Sequence, residues 1–455
     1  MAALPKSFDL SQPIPSLPDG AQSQLITCRP ISSSTFGPSS IIEVDLGNRG
    51  WCDPTSIAIR YKISATASAT SGSALIGTPV YTPFQRVATL VGGAAIDSIS
   101  QYNQVAHVLV QGSYDVASKY GLQSQFGYSP PQNTSTTSTS YAYGLSLAWT
   151  DGRYLQDNTA NPPVPGAAGV TDNFSVSAPL IGTLLTNCEK QLPLFAMPQI
   201  RFQFTIDTLL NMSANILTGT LAGGLTSGVM TAFTITNFEL VYQMTDLGAA
   251  VEKMVYDMGR SLSLKSHGLS NTAVAVPSGT SGSQNFVFNQ RFASIRSAFA
   301  CGNMNGIGSK WADIVDLTQN NGDYQFLIGN QAFPQTPLST VLNESGILQE
   351  TRRAFGNLYE KNSTLSINSV EFAANVNTSS TSAYEPGKFI VGINLEKCQS
   401  GDHVMMSGAS TYNTPISVVV NMGTASTLGA NLNLILDYDA ILVLDPVARQ
   451  LSVRS

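Results

Sequence analysis

The sequence has very little charge. Lysine, arginine, aspartate and glutamate together make up 11% of its 455 residues, against about 25% in ordinary soluble domains. Hydrophobic residues reach 43% and the net charge is only −6. Such a chain has no general electrostatic attraction for nucleic acid or anionic membranes. The combination favours a protein that buries much of its surface against other copies or partners.

Cysteine and histidine are scarce and scattered. The five cysteines contain no C-x-x-C pair, which argues against a disulfide framework or a zinc site and favours free buried thiols: Cys28, Cys52, Cys188, Cys301 and Cys398. None of the histidines, His107, His267 and His403, has an H-x-H or H-x-x-x-H partner. G-x-S-x-G and Walker A patterns are also missing. The sequence therefore predicts no catalytic site, no metal site and no cofactor.

Long apolar segments are absent as well. No run of about 18 apolar residues occurs, so no membrane span is predicted. The first residues, M-A-A-L-P-K-S-F-D-L-S, lack a charged segment followed by an apolar one. We therefore expect no secretory signal peptide.

What the sequence does contain is a series of alternating segments typical of half-buried β-strands. Ile200–Ile206 is the clearest, with apolar residues at every second position. Long loops rich in serine, threonine, glycine and proline separate these segments, notably 64–78, 121–170 and 211–230. The composition and pattern predict an all-β protein with a few short helices.

The stretch 231–258 changes period in its middle. Its first part alternates as a strand, and from Asp246, a candidate N-cap, apolar residues follow at helical spacing. The predicted apolar stripe consists of Leu247, Val251, Met254, Val255 and Met258. We interpret it as a structural helix between two β-units; the alternative is a strand–helix corner within a single domain.

Two weak internal matches favour two β-units. F-Q-R-V-A-T-L at 84–90 is similar to N-Q-R-F-A-S-I at 289–295, and the strand–loop–strand pattern at 200–244 is similar to that at 416–444. The predicted division is an N-terminal arm at 1–40, a first unit at 41–245, a linker helix at 246–260 and a second unit at 261–455.

Four segments carry a family resemblance: K-Q-L-P-L-F-A-M-P-Q-I-R-F-Q-F-T-I (190–206), F-E-L-V-Y-Q-M-T-D (238–246), D-Y-Q-F-L-I-G-N-Q-A-F-P-Q-T-P-L (323–338) and L-I-L-D-Y-D-A-I-L-V-L-D (434–445). With these four segments in this order, the chain resembles the double jelly-roll major capsid proteins of tailless icosahedral DNA viruses. Within that group it is similar to the adenovirus-related type of Polinton-like viruses, adintoviruses and virophages. The resemblance implies two eight-stranded antiparallel jelly-roll barrels side by side.

The resemblance also implies a structural, non-enzymatic function. Three copies would form a pseudo-hexagonal capsomer that contacts neighbouring capsomers, penton proteins and minor capsid proteins. The chain would be located in the virion, assembled inside the host cell, and would make no sequence-specific contact with nucleic acid. The sequence does not indicate whether an internal membrane lies beneath such a shell.

Two alternatives remain open at this point. One is a single jelly-roll shell protein with a projecting domain, like those of nodaviruses or tombusviruses. Arms that package a genome directly are strongly basic, whereas residues 1–40 balance Lys6 and Arg29 against Asp9 and Asp19. The other is a glycan-binding β-sandwich, which would need clustered aromatic residues or paired carboxylates.

Overall fold

Alternating apolar residues form the strands of two successive β-units. The structure is a computed structural model. It describes residues 21–67, 73–114, 121–128, 152–157, 164–165, 171–215, 226–227, 230–257, 259–304, 311–312, 314–341, 344–356, 367, 372, 388–397, 406–423 and 429–455.

The first unit contains eight principal strands: β1 (Gln22–Cys28), β2 (Ile41–Asp45), β3 (Ala58–Ala67), β4 (Phe84–Val91), β5 (Ala94–Ser100), β6 (Thr171–Pro179), β7 (Ile200–Ile206) and β8 (Met230–Asp246). They form two antiparallel four-stranded sheets, ordered β1–β8–β3–β6 and β2–β7–β4–β5. The two sheets enclose the core of the first barrel.

The second unit has the same construction. Its strands are β9 (Leu262–Val276), β10 (Gly282–Phe288), β11 (Ile295–Met304), β12 (Gly322–Ile328), β13 (Gln331–Ser339), β14 (Ile390–Asn394), β15 (Ile416–Met422) and β16 (Ala430–Asp445). The sheet orders are β9–β16–β11–β14 and β10–β15–β12–β13. A terminal strand, β17 (Gln450–Arg454), pairs with β16.

In the part of the chain that the structure describes, three helices connect these strands: α1 (Tyr102–Ser113), α2 (Ala249–Asp257) and α3 (Glu344–Ala354). Helix α1 joins β5 to β6, α3 joins the equivalent β13 to β14, and α2 joins the two units. The remaining short helices are Pro54–Ser56, Gln123–Phe126, Leu194–Ala196 and Leu209–Met212. The remaining short strands are Thr35–Phe36, Trp51–Cys52, Ser73–Ile76, Gly152–Tyr154, Gln156–Asp157, Val164–Pro165, Leu192–Pro193, Ser213–Asn215 and Thr226–Ser227.

Adding eight to each strand number of the first unit gives the strand order of the second. This repetition of two four-stranded sheets defines two complete jelly rolls. The predicted all-β double jelly roll is confirmed. The single jelly-roll alternative is wrong because the chain contains two complete barrels.

The structure corrects one of the internal sequence matches. Residues 84–90 lie in β4, whose equivalent by strand order is β12, whereas residues 289–295 lie between β10 and β11 and reach only the first residue of β11. The match at 200–244 and 416–444 does relate equivalent elements, since it pairs β7 and β8 with β15 and β16.

The predicted N-terminal arm is also corrected. Strand β1 runs antiparallel to β8, with Gln22 opposite Asp246 and Cys28 opposite Leu240. Thr35–Phe36 pairs with the same strand further along. Residues 22–36 therefore contribute to the first barrel, while residues 1–20 lie outside the described residues.

Aromatic side chains fill the first barrel. Phe204 on β7 is fully buried, and its ring centroid lies 5.2 Å from those of both Phe84 and Phe238. Tyr61 joins the same cluster, with its ring 5.6 Å from Phe84. Such pairs stabilise a core by their buried area and by favourable ring geometry.

We expect Phe204→Ala to lower the free energy of unfolding by about 3–5 kcal/mol, since it leaves a cavity between the two sheets. Phe204→Leu should cost less, because most of the volume is kept. Equilibrium denaturation at a fixed protein concentration measures both. Val287→Ala, at an exposed position of β10, is the control and should change stability by no more than about 0.5 kcal/mol. A loss that small for Phe204→Ala would contradict this role.

Candidate inter-barrel interface and assembly surfaces

The two barrels meet along a buried interface that we call the seam. On the first barrel it comprises α1 and residues 180–190, and on the second barrel it comprises β9 and the outer face of the β9–β16–β11–β14 sheet. Buried side chains lie on that outer face, including Phe299, Cys301, Asn433 and Ile435. An outer sheet face is ordinarily solvated in antiparallel proteins. Here the first barrel covers one part of it, and α3 of the second barrel itself covers the part over β11 and β14.

Backbone hydrogen bonds cover the edge of β9. The Leu269 amide donates to the Gly182 carbonyl at 3.1 Å, and the Glu189 amide donates to the Lys265 carbonyl at 3.2 Å. The Lys265 ammonium also pairs with the Glu189 carboxylate at 3.0 Å. A free strand edge would offer unpaired groups to other chains, and residues 180–190 occupy part of this one.

A buried polar network crosses the seam from α1. The Gln104 side-chain amide donates to Asn303 Oδ1 on β11, and the Asn433 amide donates to the same oxygen at 2.8 Å. Asn303 in turn donates to the Trp311 carbonyl at 2.9 Å. At the exposed end of the network, the Trp311 indole donates to the Asn211 carbonyl at 2.9 Å. Because buried polar groups are costly when unpaired, this network favours one relative placement of the barrels.

Close packing on α1 requires a glycine. A Cβ at Gly112 would lie 2.3 Å from the Phe355 ring. Phe355 itself stacks on Phe299 of β11, with ring centroids 4.4 Å apart. Any larger residue at position 112 would therefore separate α1 from the second barrel.

Ionisable groups in and beside the seam have shifted pKa values. Burial raises the pKa of Asp97 on β5 to about 7, although its carboxylate accepts a hydrogen bond from the Leu184 amide at 2.9 Å. Burial, reinforced by Arg296, lowers the pKa of His267 to about 4. Burial also raises the pKa of Asp437 to about 6, against the opposing charge of Arg296. These groups couple the packing of the seam to pH.

Helix α2 follows the end of β8 directly. Asp246, the predicted cap, is the last residue of β8; its carboxylate accepts the Gly248 amide at 2.8 Å, and the helix begins at Ala249. Of the predicted stripe, Val255 is buried at 5% exposure, whereas Leu247 and Val251 are only partly buried.

Met254 and Met258 complete the stripe. Met254 is 63% exposed, because α2 has only nine residues and buries one narrow side. The inter-barrel role of the stripe stays a prediction. Met258 lies outside the described residues.

The sequence pattern missed Tyr256, which anchors α2. Its hydroxyl donates to the Phe195 carbonyl at 2.9 Å, and the two rings meet edge to face at 5.8 Å. Phe195 belongs to the first barrel, so the observed packing of α2 is against that barrel. The predicted role of α2 in fixing both barrels stays a prediction.

The residues considered for chemistry lie apart from one another. His107 lies within α1, with Nδ1 3.3 Å from the Thr78 hydroxyl, and His267 lies in β9. His403 and Cys398 lie outside the described residues. In the described part of the chain, Cys28, Cys52, Cys188 and Cys301 are free thiols, and no group of three or more His, Cys, Asp or Glu side chains could hold a metal ion. No described helix is long and apolar enough to cross a membrane.

An open groove of about 950 Å³ crosses the outer face of the β1–β8–β3–β6 sheet. Its floor includes Arg60, Lys62 and Ser175, and its walls are residues 29–34 on one side and Ser124 and Gln125 on the other. Arg60, Lys62 and Ser175 are exposed. The groove lies on the sheet equivalent to the one that the seam covers.

We expect Asp97→Asn to remove part of the pH dependence of stability. The folded-state pKa of about 7 exceeds the ordinary value of 3.8. The contribution of the Asp97 side chain to the stability of the folded state is therefore fully present below about pH 4 and is lost as the pH rises to about 7. Asparagine keeps the acceptor oxygen for Leu184 without charge. The variant should gain about 1–4 kcal/mol over wild type at pH 8, since each pKa unit corresponds to about 1.4 kcal/mol, and gain little at pH 4. Denaturation at both pH values measures this.

Asp257→Asn, at the exposed end of α2, is the control; equal pH profiles for wild type and Asp97→Asn would contradict the prediction.

The contrast between Val255 and Met254 gives a matched pair on α2. Val255→Asp should cost about 3–5 kcal/mol because it buries an unpaired charge. Met254→Asp should change stability by no more than about 0.5 kcal/mol, because that side chain is solvated. Thermal and chemical denaturation of both variants measure the difference. Equal losses would show that α2 does not pack through Val255.

No family model and no curated protein sequence matches the chain. Solved structures do match it. The Faustovirus major capsid protein superimposes with a TM-score of 0.59 at 8% identity, covering 96% of this chain and 92% of that chain. A chain of the Sputnik virophage cryo-EM structure gives 0.57 at 12% identity, with 100% and 92% covered. The mavirus major capsid protein gives 0.56 at 11% identity, with 100% and 95% covered.

Identities this low establish a shared fold and do not transfer function. The superpositions nonetheless span nearly the whole of each chain, so they include both barrels and the connection between them. Together with the repeated strand order, they show that the chain has the double jelly-roll fold found in viral major capsid proteins.

Proposed function

We propose that this chain is the major capsid protein of a tailless icosahedral DNA virus. Three copies form a pseudo-hexagonal capsomer, in which each chain contributes two barrels. The observation that carries this proposal is the pair of complete jelly rolls joined by a buried seam. A seam of this kind makes the two barrels one building block, and identical building blocks assemble through repeated interfaces.

The surface chemistry supports the same function. The exposed strand positions of the first barrel are mostly serine, threonine, asparagine and glutamine, and the chain as a whole carries little charge. Neutral polar surfaces can be covered by a neighbouring copy at a small desolvation cost, in contrast to buried unpaired charges. Modest interfaces, each repeated many times, then suffice to build a shell.

The proposal includes partners and location. The chain associates with itself within capsomers and between them, and with penton and minor capsid proteins at special positions of the shell. It makes no sequence-specific contact with nucleic acid, resides in the virion and has a structural rather than an enzymatic function. Asp437 and Asp439 lie close together, but both carboxylates pair with Arg296, at 3.7 and 3.8 Å. This shared ion pair accounts for the two carboxylates without a catalytic role and so supports the structural function.

We expect the purified full chain to sediment as a species of three chain masses, or as larger assemblies, in sedimentation velocity at micromolar concentration. The association should persist at moderate ionic strength, because few charged pairs are available to be screened. A strict monomer at every concentration and ionic strength tested would contradict the proposed function.

A further inference from the structure

The terminal strand β17 has an equivalent in the first barrel. It pairs antiparallel with the end of β16, just as Trp51–Cys52 pairs antiparallel with the end of β8, the strand equivalent to β16. Each of these short strands directly follows a residue in the left-handed region of φ, Gly50 at 63° and Arg449 at 48°. The two short strands therefore occupy equivalent positions in their barrels.

Among the described residues, one of these short strands is covered on its outer edge and the other is open. Leu192–Pro193 pairs with Trp51–Cys52, and the Leu194 amide donates to the Gly50 carbonyl at 3.0 Å. No described strand pairs with the outer edge of β17. A free edge presents unpaired N–H and C=O groups, with which another extended segment can pair.

Two adjoining recesses lie beside β17, between the barrels. One has about 370 Å³ and is lined by Gly92 and Pro198 of the first barrel and by residues 450–452 of β17. The other has about 440 Å³, and Pro198 and Arg449 line both. Arg449 is exposed, and no described carboxylate lies within ion-pairing distance of it. The open edge therefore adjoins space for a further segment and an unpaired positive charge.

The dipeptide that covers Trp51–Cys52 recurs in the sequence. Leu-Pro occurs three times in the chain, at 4–5, 17–18 and 192–193. The first two occurrences lie in residues 1–20, outside the described residues. Proline is tolerated in an edge strand because its nitrogen can face away from the ladder. The chain therefore offers two further segments with the same dipeptide for the edge of β17.

Charge selects between these two segments. In the first barrel the residue that follows Leu-Pro lies against Gly50, so the equivalent residue at β17 would lie against Arg449. That residue is Asp19 after Leu17-Pro18, and it is Lys6 after Leu4-Pro5. A carboxylate at this position attracts the Arg449 guanidinium, whereas an ammonium group repels it.

We infer that residues 17–19 of one copy pair with the outer edge of β17 in another copy, with Asp19 beside Arg449. The segment plays the part at β17 that Leu192–Pro193 plays at Trp51–Cys52. This inference rests on the proposed function, because it assigns one contact between copies.

The segment comes from another copy because β1 lies on the wrong side of its own barrel. The strand order is β1, β8, Trp51–Cys52 and Leu192–Pro193, and the last of these follows the seam residues 180–190. Three strand spacings, about 14 Å in total, therefore separate β1 from the side on which the second barrel lies. Asp19 precedes Gln22, the first residue of β1, by three residues, which span at most about 11 Å.

Disulfide trapping between two full-length variants tests the contact. Asp19→Cys in one chain and Arg449→Cys in the other place one thiol on each side of it. Mixed in oxidised glutathione, the two variants should form a disulfide-linked dimer, whose joined peptides are identified by mass spectrometry. The dimer should form at least about tenfold faster than with the control pairs, because a bound segment raises the effective thiol concentration.

Two control pairs use the same chemistry. Lys6→Cys mixed with Arg449→Cys tests the other Leu-Pro segment, and Asp19→Cys mixed with Arg454→Cys tests the far end of β17. Arg449 and Arg454 are exposed, so substitutions there should leave the melting temperature unchanged.

Hydrogen exchange gives a second readout that does not depend on cysteine. In the associated protein, Asp19→Arg should speed amide exchange in residues 450–454, because the segment no longer covers the edge. Combining Asp19→Arg with Arg449→Asp restores opposite charges and should restore the wild-type exchange rate. Asp9→Arg makes the same change of charge elsewhere in residues 1–20 and should leave the rate unchanged.

The outcomes separate this inference from the proposed function. If wild type associates but the pair at positions 19 and 449 cross-links no faster than the controls, the inference fails while the capsid proposal stands. Equal cross-linking through Lys6→Cys, or unchanged exchange in Asp19→Arg, also contradicts the inference alone. If wild type never associates, both proposals fail.

Discussion

The structure depends on the burial of one outer sheet face by a neighbouring barrel. In the second barrel, β9–β16–β11–β14 has the core of its own barrel on one side. Along the other side and edge it contacts α1 and residues 180–190 of the first barrel, together with its own α3 over β11 and β14. This double burial explains why β16 contains so few exposed positions. The Gln104–Asn303–Asn433 network then sets the relative placement of the barrels, since a small shift would leave buried amides without partners.

The same constraint accounts for the composition. A chain that places one barrel against the sheet of another cannot carry many charges on those faces, because unpaired charges are costly to bury. The charges at the seam are paired or shifted: Lys265 contacts Glu189, and burial raises the pKa of Asp97. Among the described residues, a groove crosses the equivalent sheet of the first barrel.

Much of the fold could be predicted from the sequence, because sheet strands with one buried face must alternate. Ile200–Ile206 alternates in the structure as it does in the sequence. Strand β1 was not predicted because Q-S-Q-L-I-T-C is mostly polar, and it becomes a strand only by pairing with β8. The predicted helical stripe includes the exposed Met254, because spacing shows which residues share a face and not what covers that face. The seam could not be predicted at all, since its partners, such as Gln104 and Asn303, are far apart in the sequence and carry no local pattern.

The central claim is that the seam, and not the covalent linker, holds the two barrels together. A site-specific protease sequence inserted between Gly259 and Arg260, two exposed residues after α2, would test this directly. After complete cleavage under native conditions, size-exclusion chromatography should show the two fragments eluting together, and they should unfold in one transition. Fragments that elute separately, each as a folded barrel, would contradict the claim.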